Sequence, residues 1–285
     1  MSETPTEVDP KPDRDVRPPS AESLGAAPGR GRLNGRRVLV VGGGQRTFDA
    51  ATDPIGNGRA MSLLFAREGA EVAVADVNRA SAEDTVARIV AEGGRAFAIA
   101  ADVTRESDVR RMIDEAQRTM SGLDGMVLNV GTFGNTGLDG VSAEEWNRIY
   151  DVNVRGPMLC CREALPRFEN GGSIVFISSI AALKAGSQMA VYDSSKAALG
   201  GLMRNIAHVG ARRGIRANLV YPGLVDTPNG REAGAGRASR GKGHIPFGRQ
   251  ATAWEIAYAV LFFMSEESVY VTAQTLAVDS GLSGM

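Results

Sequence analysis

The sequence predicts an α/β fold: a single doubly wound parallel sheet of about seven strands with helices on both faces. Three observations predict it. From Arg36 onward, short apolar runs alternate with amphipathic stretches. The runs are continuous or nearly so, as expected for strands covered on both faces. The first run passes straight into a glycine triplet, Gly42-Gly43-Gly44, ahead of a helical pattern. In order, strands are predicted over 37–41, 71–75, 96–100, 125–129, 173–177, 216–220 and 275–278. Helical periodicity predicts helices over 60–68, 80–92, 106–120, 143–168, 192–213 and 253–264. Crossovers between parallel neighbours are expected to be right-handed. Segment 224–250 lacks periodicity, and no internal repeat is present.

The chain of 285 residues is 43% hydrophobic and 23% charged, enough for one large domain. Residues 1–34 differ from the rest. They hold six prolines up to Pro28, interspersed charges and almost no large apolar side chain. Such a stretch cannot bury enough surface to offset its ordering entropy, so a disordered tail over 1–34 is expected, followed by one domain over 35–285. A net charge of −1 gives no field for nucleic acid or an anionic membrane surface. No apolar run approaches membrane-spanning length, and no signal peptide is expected. Adjacent Cys160 and Cys161 make neither a disulfide nor a metal set, and a reducing cytoplasm is the expected setting. His208 and His244 lack partners at ligand spacing, so no metal is expected. Trp146 and Trp254 lie on helical patterns and are expected to pack.

The first strand, the glycines and a later Gly56-Asn57-Gly58 at a helix start form a phosphate-binding pattern. Glycines let backbone N–H groups approach a pyrophosphate, and the helix dipole favours its charge. A glycine cluster alone equally fits a plain strand-to-helix turn. Asp76, 18 residues past Gly58 at the end of the second strand, decides for a dinucleotide. An acid there can accept both ribose hydroxyls and repel a 2′-phosphate, so NAD is expected over NADP. Arg46 points the other way, because a cation near the turn can hold a 2′-phosphate. Asp102, after the third strand, sits where an adenine edge can be contacted. Asn129 and Gly131, after the fourth strand, fall at the switch point of such a sheet.

Tyr192 and Lys196 are four apart and open a helical stretch, so they share one face. An ammonium beside a phenol favours the phenolate and makes tyrosine a usable general acid or base. Ser179 follows the apolar strand at its C-terminal end, 13 residues before Tyr192, where its hydroxyl can polarise a substrate oxygen. Asn153, inside a helical pattern, is either a spacer or the anchor of a water linked to the lysine.

In order and nearly in spacing, Gly42, Gly56, Gly58, Asn129-x-Gly131, Asn153, Ser179, Tyr192-x-x-x-Lys196 and Pro222-Gly223 resemble the short-chain dehydrogenase/reductase family, from about Leu33 to Leu282. The resemblance implies a Rossmann fold and an NAD-linked enzyme acting on a small alcohol or ketone. It implies Tyr192 as the acid/base, Ser179 orienting the carbonyl, Lys196 lowering the tyrosine pKa and holding the nicotinamide ribose, and Asn153 anchoring a relay water. Asp102 and Val103 would touch the adenine side, and Pro222, Gly223, Val225 and Thr227 the nicotinamide end. A homotetramer is implied, with helices 143–168 and 192–213 between subunits. Three departures stand out: about ten extra residues over 45–54 within the glycine motif, Val41 in place of Thr, and Asn-Val-Gly at 129–131 in place of Asn-Asn-Ala-Gly.

Two other readings compete: an NADPH-dependent 3-oxoacyl thioester reductase, against which Asp76 argues, and a non-catalytic dinucleotide-binding regulator, which has no need of all four catalytic residues. The segment expected to close over substrate, 224–250, carries Arg231, Arg237, Arg240 and Lys242 against Glu232 in its middle. Its charges fit either a solvated loop or a grip on an acidic substrate.

Overall fold

A computed structural model describes residues 19–134, 136–169, 171–184, 187–235 and 245–284. Seven parallel strands form the central sheet: β1 Arg37–Val41, β2 Glu71–Asp76, β3 Arg95–Ala100, β4 Gly125–Leu128, β5 Gly172–Ile177, β6 Ile215–Pro222 and β9 Thr275–Val278. Their order is β3-β2-β1-β4-β5-β6-β9. The order reverses between β1 and β4, and the crevice at their C-terminal ends is where an open α/β sheet binds ligands. β7 Val225–Asp226 and β8 Ala251–Thr252 form a separate short parallel pair.

The helices are α1 Asn57–Arg67, α2 Arg79–Ala91, α3 Glu106–Met120, α4 Ala143–Tyr150, α5 Gly156–Ala164, α6 Ala190–Gly210, α7 Pro228–Ala235 and α8 Ala253–Met264. The two faces of the sheet build two cores. Along β1, Leu39 and Val41 join Met112, Cys160, Cys161 and Met203, whereas Val38 and Val40 join Met61, Phe65, Ile256 and Leu261 on the opposite face. Successive side chains of a strand point to opposite faces, so one apolar run feeds both layers. The edge strand β9 departs from the expected double cover: Thr275, Leu276 and Ala277 are exposed, and among the described residues no strand pairs with its outer edge.

The helix expected over 143–168 is interrupted. A π turn, Asp151–Arg155, joins α4 to α5, and Gly156 N–H donates to Asp151 O, five residues back. Pro157 lies four residues after Asn153 and has no N–H to give to the Asn153 carbonyl. The α-helical ladder is broken there for that reason.

Residues 19–34 are anchored to the domain at Ser23, Ala27 and Leu33, against the tail expected over that stretch; residues 1–18 lie outside the described residues. Leu33 is fully buried. The Glu68 carboxylate accepts from the Arg30 and Arg32 N–H groups, each at 3.0 Å, and from the Arg32 guanidinium at 2.7 Å. Gly25 lies against Trp254 so closely that a Cβ would come within 2.1 Å of the indole. The stretch is held by a buried carboxylate and an aromatic plate, both supplied by distant parts of the chain. Among the described residues, no helix is long and apolar enough to cross a membrane.

Candidate active site

At the C-terminal edge of the sheet the strands open into a cavity of about 1420 Å³. One end is built by the glycine turn. Gly42 has φ +82°, a left-handed conformation that favours glycine. Gly58, in the first turn of α1, approaches so closely that a Cβ would meet Gly42 O at 1.9 Å. Asn129 Nδ2 donates to the same carbonyl at 2.8 Å, joining the ends of β1 and β4. Gly56 caps α1 without a side-chain hydrogen bond, and no acid sits in the first turn. Its first N–H groups are therefore open to an anion. Asn57 Oδ1 is buried there with no hydrogen-bond partner.

Asp76 ends β2 beside this turn. Its Oδ2 accepts from Gly44 N–H at 3.0 Å and its Oδ1 from Asn78 N–H at 3.0 Å. Burial raises its pKa above the usual aspartate value, against the pull of those N–H groups. A Cβ on Gly44 would fall 2.7 Å from both Asp76 Oδ2 and Ser81 Oγ. Asp102 Oδ1 accepts from Thr104 N–H at 2.9 Å and from its hydroxyl at 2.7 Å. Val103 is buried against Gly156, and both Asp102 and Val103 line the cavity.

The other end gathers Ser179, Tyr192 and Lys196. Ser179 follows β5 in extended backbone, its Oγ accepting from Ala181 N–H at 3.2 Å. Its neighbour Ser178 donates through Oγ to Lys196 O at 2.8 Å, which ties the end of β5 to α6. Lys196 is 4% exposed. Its Nζ donates to Ile177 O at 3.1 Å and to Val130 O at 3.5 Å, and lies 5.8 Å from the Tyr192 ring centroid. Burial lowers its pKa from 10.5 to about 8. Gly131 leaves room for it, since a Cβ there would sit 3.0 Å from Nζ. Phe133 meets Tyr192 edge-on, with ring centroids 6.4 Å apart.

Asn153 is fully buried in the π turn. Its Nδ2 donates to Thr132 O and to Ser195 Oγ, each at 2.9 Å, and its Oδ1 accepts from Thr132 N–H at 2.8 Å. Ser195 in turn donates to Tyr192 O at 2.8 Å. The Asn153 side chain thus pins the segment after β4 to the second turn of α6. Pro222 at the end of β6 and Gly223, Val225 and Thr227 beyond it line the cavity, and Thr227 Oγ1 accepts from Gly230 N–H at 3.0 Å.

All the sequence-predicted site residues therefore face or frame one cavity. Gln45, Ser81, Thr132, Ser178 and Ser195 belong to the same framework and were missed. Ser81 and Ser178 bond the backbone of remote segments, Gln45 closes a loop onto Pro54 and Gly56, and Thr132 and Ser195 are the partners of the Asn153 amide, none of which periodicity reveals. A signal existed for the π turn alone, in Pro157 four residues after Asn153. Arg46, the cation near the glycine turn, pairs with Glu232 at 2.9 Å and lines the cavity. Arg231 holds Asp226 through two bonds, of 2.7 and 3.0 Å, instead of pointing free. Arg237, Arg240, Lys242 and His244 lie outside the described residues. Cys160 and Cys161 are buried in the core, where burial pushes the Cys160 thiol up to about 12. His208 is exposed on α6. Among the described residues no group of three metal-ligating side chains occurs.

The residues present fit a dinucleotide: an uncapped helix N-terminus, glycine approaches that a Cβ would fill, and a buried amide oxygen without a partner. Comparison with known proteins agrees. The family model described as enoyl-(acyl carrier protein) reductase matches residues 51–283. A glucose 1-dehydrogenase of Gluconobacter oxydans is 34% identical over 90% of this chain and 95% of its own. The 3-oxoacyl-(acyl-carrier-protein) reductase FabG of Thermotoga maritima is 29% identical over 88% of this chain and 99% of its own. A short-chain dehydrogenase/reductase structure from Burkholderia xenovorans superposes with a TM-score of 0.80 at 30% identity, covering 89% of this chain and 98% of that one. On fold, site and sequence together, the chain belongs to the short-chain dehydrogenase/reductase family of oxidoreductases.

Proposed function

We propose that the protein moves a hydride between NAD(H) and a secondary alcohol or ketone, with Tyr192 as the proton donor and acceptor. One observation carries this reading: Ser179, Tyr192 and Lys196 line the same cavity as the glycine turn and the open N-terminus of α1. A bound nicotinamide would supply or take the hydride at its C4. Ser179 holds the substrate oxygen, and Tyr192 takes the hydroxyl proton in oxidation or returns it in reduction. Lys196, charged below about pH 8, favours the phenolate and holds the nicotinamide ribose. Asn153, through Thr132 and Ser195, keeps these groups in register, and its carbonyl, denied an N–H by Pro157, is the anchor for a relay water.

NAD is preferred because Asp76 sits at the ribose end and would repel a 2′-phosphate. Asp102, Val103, Asn129 and Gly131 line the adenine and central parts of the site, and Pro222, Gly223, Val225 and Thr227 its nicotinamide end. The likeness to FabG favours a second reading, an NADPH-dependent 3-oxoacyl thioester reductase. A homotetramer is the assembly we expect. Exposed Phe262, Val269, Tyr270 and Leu276 surround the open edge of β9, and Tyr270 is fully exposed. The cytoplasm suits two buried, unpaired thiols.

The test is absorbance at 340 nm after mixing the protein with NAD or NADP and a panel of secondary alcohols. Turnover with NAD supports the reading. Turnover confined to NADPH and 3-oxoacyl thioesters favours the second, and none with any pair leaves only dinucleotide binding.

A further inference from the structure

The chain does not pass directly from β1 to α1. It makes an excursion over 45–54 whose base is closed by one side chain. Gln45 Oε1 accepts from Gly56 N–H at 2.8 Å, and Gln45 Nε2 donates to Pro54 O at 3.2 Å. The excursion is also tied internally. Asp53 Oδ2 accepts from the N–H groups of Phe48 and Asp49, and Asp49 accepts from Ala51 N–H and the Thr52 hydroxyl.

Its far side reaches α7, the helix that follows Thr227. Arg46 Nη1 lies 2.9 Å from Glu232 Oε2. Arg231 Nη1 donates to Thr52 O at 2.9 Å, while its remaining nitrogens hold Asp226. Arg46, Thr47 and Phe48 line the large cavity from one side, and Asn229, Gly230 and Ala233 from the other. The glycine turn lies in the same cavity. Two segments far apart in sequence therefore meet across the cleft that would hold the dinucleotide.

We propose that segment 45–54 is a strap, latched to α7 by Arg46–Glu232 and Arg231–Thr52, that retains the cofactor and must unlatch before it can leave. The proposal rests on the dinucleotide reading above. The Arg46 and Glu232 side chains are 59% and 35% exposed. An ion pair this open to water is weak and screened by salt, so the strap gates a rate and does not lock the site.

The experiment follows release of NADH, or of NADPH if only that binds, by stopped-flow fluorescence during a chase with excess oxidised dinucleotide. Glu232→Gln removes the ionic half of the latch, leaves Arg231–Thr52 in place, and touches neither the cavity wall nor the catalytic groups. It is expected to speed release about 3-fold, as loss of one exposed pair allows. Raising salt from about 0.05 to about 0.5 M is expected to speed wild-type release more than that of Glu232→Gln. A second variant replaces 46–54 with two glycines; if it folds, judged by circular dichroism, release is expected to accelerate by more than about tenfold, the scale on which a closing segment sets a release step. Unchanged release in Glu232→Gln overturns the strap. So does slower release, which would mean that a freed Arg46 grips the phosphates. A wild-type protein that binds neither dinucleotide overturns the cofactor reading, and the strap with it.

Discussion

Replacing Lys196 by Met probes the site through its thermodynamics. Met keeps the length and apolar body of the side chain but removes the charge. In the folded protein Lys196 is 4% exposed, and burial brings its pKa to about 8 from 10.5. Below about pH 8 both folded and unfolded chains carry the proton, and the full cost of a buried charge is present. Between about 8 and 10.5 the folded chain releases the proton while the unfolded chain keeps it. The unfolded chain then binds more protons, so this group makes stability rise with pH. Integrated from pH 7 to 9.5, the gain is about 2 kcal/mol. Lys196→Met has no such proton and lacks that gain. Urea unfolding of both proteins at pH 7 and 9.5 measures it: the wild type is expected to gain about 2 kcal/mol relative to the variant as pH rises. Parallel pH dependence in the two proteins refutes the burial argument.

Three further outcomes follow from the same geometry. Gly58→Ala places a Cβ 1.9 Å from Gly42 O, a contact that backbone cannot yield, so about 1–3 kcal/mol of stability and most dinucleotide affinity should be lost, as read by urea unfolding and NADH titration. Asp76→Ala removes the carboxylate at the ribose end, and the ratio of kcat/KM for NADP to that for NAD should rise by about tenfold or more; an unchanged ratio, or a wild type that prefers NADP, removes Asp76 from cofactor choice. Light scattering should give four times the 30.0 kDa chain mass, and a monomer contradicts the reading of β9 as an interface edge.

The layered fold was legible because strands covered on both faces leave continuous apolar runs, and helices between them leave a 3.6-residue period. Strands 37–41 and 275–278 and helices 106–120 and 253–264 have the predicted bounds. The candidate catalytic pair was legible for a local reason, since residues four apart on a helix share a face. What escaped, the π turn apart, depends on contacts between distant segments. Apolar periodicity runs through 143–168, yet the missing N–H of Pro157 puts a π turn at Asn153. The composition of 19–34 reads as disordered, because Glu68 and Trp254, which hold it, lie elsewhere in the chain. The excursion over 45–54 was visible as extra residues, but its attachment to α7 was not. Arg46 and Glu232 are 186 residues apart, and nothing local in either segment announces the pair.

The central claim is that Tyr192 carries the proton that accompanies hydride transfer. Single-turnover reduction of NAD at 340 nm, with the best alcohol of the panel, compares wild type and Tyr192→Phe directly. The phenyl ring preserves the edge-on contact with Phe133 and loses only the hydroxyl. The account predicts a rate lower by about 10²–10⁴-fold with NADH affinity unchanged, the span that general acid/base groups contribute. A variant that keeps more than about a tenth of the wild-type rate contradicts it.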